Sequence, residues 1–451
     1  SYTEGSAAVV IDAAITVADS DSPTLSSATV SISHGLQAGD ALVFASTATI
    51  TGAYNAGTGV LTLTGVDTVI NYQAALRSIT FQSTQENPQT SKTISWMVND
   101  GTTNSEVVVR DVAVTPVNDA PVVTAGGTIT YTENAVATVV STTLTLSDVE
   151  GDTIASATAS ISANFVSGQD VLSFTPSGSI TGSFDAGTGV LTLSGTGTTT
   201  EYQTVLRSVT YVNNSDDPSG AARTISFTAT DSLGLTSGIA SATVNVTPVN
   251  DAPLNAVTTS QVVLHSFTGT PLTGLSIADV DAGDATNLTA TLAASDAASI
   301  TIGSLSGGST GGVSGGATIA GNGTATVTLT GSVAEINASL GGQNVVYKSA
   351  DGFTSPTTPF TASTVTFTTN DAGNTGQDPG TTSNGTSEAD VATIQVAVLP
   401  QVWFIDNTPP TSPSGPIGSQ TNPFTSIEAF NDASALAGGP GANDYIYVQS
   451  G

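Results

Sequence analysis

Asn118-Asp119 and Asn250-Asp251 lie inside one heptapeptide, Thr-Pro-Val-Asn-Asp-Ala-Pro, which occurs at 115–121 and again, word for word, at 247–253. An amide oxygen beside a carboxylate is a pair of hard oxygen donors of the kind Ca2+ takes. The two prolines of each copy fix their own φ and push the preceding residue towards extended geometry. Alternating apolar runs lead into each copy, from Val107 to Val114 and from Ala242 to Val246, and β-prone sequence follows. The heptapeptide is therefore read as a semi-rigid joint between folded bodies that holds a metal ion. A second reading of the same residues needs no metal. Asn and Asp are turn formers whose side chains bond to nearby backbone amides.

The bodies between the joints repeat. Tyr2-Thr3-Glu4 opens the first and Tyr131-Thr132-Glu133 the second; Asp19-Ser20-Asp21 then matches Asp148-Val149-Glu150. The stretches 51–63 and 181–193 correspond, and Asn55 or Asp185 with its glycines supplies the turn of a hairpin. Tyr72 and Leu76, like Tyr202 and Leu206, are four apart, which predicts a short helical crossover packed on the body. Each repeat closes with a long strand at 94–98 or 225–229, an acid (Asp100 or Asp231) and a final strand into the joint. A third, diverged repeat has Asp279, Asp281 and Asp284 in the acidic slot, Glu335–Leu340 at the crossover and Asp371 before its last strand. Its opening Glu is missing, since His265-Ser266-Phe267-Thr268 offers no carboxylate. The Gly/Ser stretch 303–316 and the polar stretch 373–387 are expected to be mobile loops.

Roughly eight strands per repeat, with turn signals between them, predict an all-β fold of tandem Greek-key β-sandwiches set end to end as a rod. The expected bodies are 1–117, 118–250 and 251–399, with a different domain from 400 to 451. There, Val402–Asn407 predicts a strand, Asn422–Phe430 a short capped helix and Asp444–Val448 another strand. Both ends fall inside repeating units, so the sequence is read as a segment of a longer protein.

The 451 residues carry 36 acidic against 6 basic side chains, a formal charge of −30. Disorder does not follow, because 38 % of residues are hydrophobic and they alternate regularly. So few cations offer no phosphate-binding stripe, which excludes nucleic acid, and an anionic membrane surface would repel the chain. No apolar run of spanning length exists, so no membrane insertion is expected within the segment. Cysteine is absent, which removes disulfide and four-cysteine zinc chemistry. Low Lys with high Asp fits a Ca2+-rich exterior.

No enzyme is expected. His34 and His265 are not equivalent in the repeats and have no Ser-Asp pattern near them. A glycosidase-type carboxylate pair cannot be told from metal ligands by sequence. Arg77 and Arg207 recur and are expected to pair with an acid that fixes the crossover. Trp96 aligns with Phe227 and is assigned to the core, and Trp403 to the core of the last domain. Lys92 and Lys348 are not equivalent, which argues against internal Lys-Asn crosslinks.

The Asn-Asp-Ala-Pro joints, Tyr-Thr-Glu openings, Asp-x-Asp segments and late Asp together resemble the bacterial cadherin-like repeats of large surface adhesins over residues 1–399. Residues 400–451 resemble the first turn and cap of a right-handed parallel β-helix. The resemblance implies Ca2+ between successive sandwiches. It implies Glu4, Asp100, Asn118 and Asp119 with Asp148, Glu150 and Asp152 at the first junction. At the second it implies Glu133, Asp231, Asn250 and Asp251 with Asp279, Asp281 and Asp284. Asp19 and Asp21 form the same acidic segment in the first repeat, and Asp371 would serve a site towards the tail. The implied protein is an extracellular, bacterial cell-surface stalk of adhesin type. Its partners would be neighbouring repeats, like subunits of a filament or surface layer, and surface glycans. A carbohydrate-binding or degrading surface protein is the alternative from another class, and aromatics at 5 % speak against it.

Overall fold

The computed structural model describes residues 1–264, 269–281, 288–296, 298–303, 312–349, 363–371, 389–399, 402–406 and 445–449. The expected helix at 422–430, the polar stretch 373–387, His265, Asp284 and most of the Gly/Ser stretch lie outside these residues. Two compact units divide the chain. Ser1–Ile129, Ala137–Val212 and Ala222–Val244 form one; Thr130–Val136, Asn213–Ala221 and Asn245–Gly451 form the other.

One strand order occurs three times. The first six-stranded sheet runs Tyr2–Thr3, Val108–Thr115, Ser91–Asn99, Thr24–His34, Val60–Thr68, Thr51–Asn55. A three-stranded sheet of Val9–Val10, Thr80–Gln82 and Ala41–Val43 closes that sandwich. The second large sheet runs Thr128–Thr132, Ala240–Thr247, Arg223–Asp231, Ile154–Ala163, Val190–Gly197, Thr181–Asp185. The third runs Ser260–Leu264, Ala389–Leu399, Ser363–Asn370, Leu288–Ala294, Thr326–Gly331, Thr318–Ala320, and each has its own three-stranded partner. The fold is therefore all-β, a tandem of β-sandwiches. Val402–Asp406 pairs in parallel with Tyr445–Gln449.

Alternation builds these sheets. Successive side chains of a strand point to opposite faces, and Thr24–His34 accordingly buries Leu25, Ala28, Val30 and Ile32 against Leu42 and Phe81 of the smaller sheet. Trp96 and Phe227 are both core residues, as their alignment predicts. The hairpins also form where predicted, with Tyr54 opposite Leu61 and Phe184 opposite Leu191.

The crossover is a helix in each sandwich. Val69–Ser78 starts at Thr68, whose hydroxyl accepts from the Asn71 N–H, and it buries Tyr72, Ala75 and Leu76 on one face. Thr199–Arg207 and Val333–Leu340 begin with full capping boxes, Thr198 with Glu201 and Ser332 with Glu335. The Tyr72 hydroxyl donates to the Gly65 carbonyl at 2.6 Å, and Tyr202 repeats the bond to Gly195. Gly65 needs to be glycine: its φ is +130°, and a Cβ there would lie 1.9 Å from the Thr49 carbonyl oxygen.

Arg77 and Arg207 hold the crossover differently from the expectation. Each Nε donates to a main-chain carbonyl, Ile15 at 2.8 Å and Leu144 at 2.6 Å, and neither makes an ion pair among the described residues. The neighbouring loop presents carbonyls there rather than a carboxylate. Two other cations are buried in pairs that the sequence does not announce. Lys92 Nζ lies 2.8 Å from Asp40 and Arg223 Nε 3.3 Å from Asp170, with all four side chains fully buried. Lys92 and Arg223 occupy the same register position, opposite Val112 and Val244. Ser363 stands there in the third sandwich, opposite Val396, and Asp296 accepts from the Tyr347 hydroxyl at 2.6 Å, as Asp170 accepts from Tyr211 at 2.5 Å.

Candidate metal centres at the joints

The first joint lies inside the first unit. Tyr2–Thr3 pairs in parallel with the last strand, Tyr2 beside Val114 and Thr3 beside Thr115, and this sets Glu4 against the joint. Glu4 Oε2 accepts from the Val117 N–H at 2.8 Å, immediately before Asn118-Asp119. The Asp-x-Asp segment arrives from the second sandwich, and Glu150 Oε2 accepts from the Asp119 N–H at 3.4 Å. Glu4, Asp119 and Glu150 each offer an oxygen, and these lie within 4.8 Å of one another. Asp148, Glu150 and Asp152 form a second such group, with Glu150 common to both.

The second joint lies inside the second unit and has the same construction. Glu133 Oε2 accepts from the Val249 N–H at 2.8 Å, and Asp281 accepts from the Asp251 N–H in a short bond. Glu133, Asp216 and Asp251 form the acidic group. Asp279 accepts from the Asp281 N–H at 3.1 Å, as the first half of an Asp-x-Asp turn.

Several of these oxygens are buried with no hydrogen-bond donor. At the first joint they are Glu4 Oε1, Asn118 Oδ1, Asp119 Oδ2, Asp148 Oδ2 and Glu150 Oε1; at the second, Glu133 Oε1 and Asp251 Oδ2. Buried polar groups are normally partnered, and an unmet one costs about 1–3 kcal/mol, more when charged. None of the three ion pairs among the described residues brings a Lys or Arg to them. The electrostatics follow. Burial, with smaller contributions from the charges of Asp251, Asp281 and Asp216, raises the Glu133 carboxyl to about 7 despite the Val249 N–H. Burial raises Asp281 to about 6, helped by Asp251, Asp279 and Asp217. Asp251 and Glu150 are also pushed up by burial. Clustered hard oxygens without a donor or a protein cation suit Ca2+, which takes six to eight oxygens. Glu4, Asn118, Asp119, Asp148, Glu150 and Asp152 would hold it at the first joint, and Glu133, Asp216, Asp251 and Asp281 at the second.

The late acids sit one joint earlier than the resemblance implies. Asp231 accepts from Asn118 Nδ2 at 2.8 Å and so belongs to the first joint. Asp371 accepts from Asn250 Nδ2 at 2.5 Å and belongs to the second, not to a site near the tail. Asp100 is not among the acids grouped with Glu4, and it lies close enough to Asp19 and Asp21 for its charge to oppose their ionisation. The cause is antiparallel pairing. The strand that begins after Asp21 pairs with the strand that ends before Asp100, Ser27 beside Asn99, which brings both acidic segments to one end. Asp19 and Asp100 there act as turn formers. Asp19 Oδ1 accepts from the N–H groups of Asp21 and Ser22, and Asp100 Oδ1 from those of Thr102 and Thr103. Backbone donors hold both carboxyls below their ordinary range. Asp216 is absent from the expected ligands; the signal for it is the acidic pair Asp216-Asp217 just beyond the strand Thr210–Asn213.

No protein-family model matches the chain, and no curated protein matches it. Among solved structures it is similar to human CDH23 EC21-23, with TM-score 0.31 and 13 % identity over 81 % of this chain and 90 % of that one. It is also similar to mouse Protocadherin-24 EC1-3, with TM-score 0.28 and 13 % identity over 80 % and 90 %. Protocadherin Gamma B2 extracellular cadherin domains 3-6 gives TM-score 0.28 and 14 % identity over 80 % of this chain and 67 % of that one. Likenesses of this size leave the fold to rest on the strand order given above.

Proposed function

We propose that this chain is a non-enzymatic structural and adhesive stalk segment, extracellular and carried on a bacterial surface, whose joints are stiffened by Ca2+. The repeats of the stalk are 1–117, 118–250 and 251–399, and residues from 400 on begin a parallel β-helix. Glu4, Asp119 and Glu150, which each offer an oxygen within 4.8 Å of the others and each keep a buried oxygen without a donor, carry the reading. A bound Ca2+ supplies the positive charge that these oxygens lack. The chain's own part is positional. Glu4 and Glu133 anchor the residue before each Asn-Asp, and Asn118 and Asn250 tie the late acid of the following sandwich to the joint. Without the cation the carboxylates repel one another and the joint loosens.

Calorimetric titration of Ca2+ into chelator-treated protein, with thermal melting and small-angle scattering in both states, tests this. Saturable binding, a higher melting temperature and a narrower spread of dimensions with Ca2+ are expected. Unchanged melting and no heat of binding would leave the acids as ordinary turns and end the proposal.

A further inference from the structure

Two equivalent loops meet the two joints with opposite chemistry. One leads from Thr80–Gln82 to Ser91–Asn99, the other from Thr210–Asn213 to Arg223–Asp231. They start alike: the Tyr2 hydroxyl donates to the Ser83 carbonyl at 2.8 Å, and Tyr131 donates to that of Asn213 at 3.0 Å. Pro88 and Pro218 are buried at matching places further on. In between, Glu86-Asn87 corresponds to Asp216-Asp217.

At the first joint the loop bonds to the acidic arm. Asn87 Nδ2 donates to the Val149 carbonyl at 2.9 Å, in the middle of Asp148-Val149-Glu150. This bond ties the first sandwich to the second and needs no cation. Glu86 is not among the acids grouped with Glu4 and Asp119. At the second joint Asp217 stands in the Asn87 position, and an ionised carboxylate can only accept. Its charge is one of those that, after burial, oppose ionisation of Asp281 in the acidic arm. Asp216 joins Glu133 and Asp251 in the acidic group. Glu133 is only 4 % exposed, and its Oε1 has no donor. The loop therefore adds a bond to the first joint and negative charge to the second.

We infer that Asn87 is a cation-independent brace of the first joint, and that Asp217 in its place leaves the second joint held only while its cation is bound. A hydrogen bond between neutral groups keeps its strength in chelator, whereas carboxylates that face one another gain by separating. Loss of the ion thus frees the second joint before the first. The brace stands on its own; the release of the second joint rests on Ca2+ being held there, as proposed above.

Hydrogen exchange with mass spectrometry on the full chain reads both joints on equal terms, because 115–121 and 247–253 are identical and each follows a valine. In chelator, Asn87→Asp should speed exchange at 115–121 at least about fivefold, and Asp217→Asn should slow it at 247–253 by a like factor. Asn87→Ala, which adds no charge, should speed 115–121 less than Asn87→Asp does. Saturating Ca2+ should shrink each effect below about twofold. The core strands Thr24–His34 and Ile154–Ala163 should exchange as in the parent chain, which marks the change as local. An Asn87→Asp chain that matches the parent at 115–121 in chelator overturns the inference, and so does an Asp217→Asn chain no slower at 247–253. Ca2+ that protects neither heptapeptide in the parent chain defeats the metal reading itself, and the chelator result for Asn87→Asp still decides the brace.

Discussion

Asn118 Nδ2 donates to Asp231 Oδ2 at 2.8 Å, across 113 residues of chain. The amide nitrogen is thereby committed to an acid of the second sandwich, which turns Asn118 Oδ1 into the group of buried oxygens at the joint. Asn250 repeats the contact with Asp371. Replacing Asn118 by Asp removes the donor and sets two carboxylates against each other. In chelator the variant should lose about 2 kcal/mol of unfolding free energy, the size of a hydrogen bond to a charged group. Saturating Ca2+ should recover part of the loss. Denaturant unfolding in the two conditions measures both.

The placement of the late acids makes a separable set. Asp231→Asn should weaken Ca2+ binding at the first joint and leave the second, and Asp371→Asn should do the reverse. Asp100→Asn should leave both unchanged, since Asp100 lies with Asp19 and Asp21. Calorimetry on the three variants reads this directly. Equal losses from Asp100→Asn and Asp231→Asn would contradict the geometry.

The second joint should be pH-sensitive without Ca2+. Glu133 is raised to about 7 in the folded protein, so folding favours its protonated form. Its stabilising contribution is full below the unfolded value near 4.5 and is lost as pH rises through about 7. Stability in chelator should therefore fall between pH 5 and pH 8, by about 1–3 kcal/mol once solvent screening is allowed for. Glu133→Gln should flatten the slope. In Ca2+ the trend should reverse, because the ion binds the deprotonated oxygens. Melting curves across the range, with and without Ca2+, decide it.

Lys92 and Asp40 form a fully buried pair 2.8 Å apart. Lys92→Met alone strands the carboxylate and should cost about 3–5 kcal/mol. Lys92→Met with Asp40→Leu should recover most of that loss, and a double-mutant cycle by chemical denaturation reports the coupling.

Much of this is written locally in the sequence. The hairpins at 51–63 and 181–193 follow from glycines between alternating runs, and the crossover from Tyr72 and Leu76 four apart. The joint acids Glu4, Asp119 and Glu150 stand out because the repeats align. What local pattern does not encode is the end at which a distant segment arrives. The joint that Asp231 reaches depends on the antiparallel return of a long strand, Ile154 beside Asp231, and the resemblance assigns it to the other one. Arg77 is expected to seek a carboxylate, yet a main-chain carbonyl, invisible in side-chain pattern, accepts its hydrogen bond. The Lys92–Asp40 pair joins residues 52 apart on separate segments, so neither announces the other.

The parallel pairing of first and last strands decides how each body meets a pull. When a repeat is tugged by its two ends, these adjacent strands slide past each other in opposite directions. Their bonds then bear load together in shear instead of opening one at a time like a zip. The first sandwich offers two paired positions there, Tyr2 with Val114 and Thr3 with Thr115. The third offers five, from Ser260 with Gln395 to Leu264 with Leu399. In a single-molecule pull the third body should therefore rupture in one cooperative, high-force step rather than in a run of small ones.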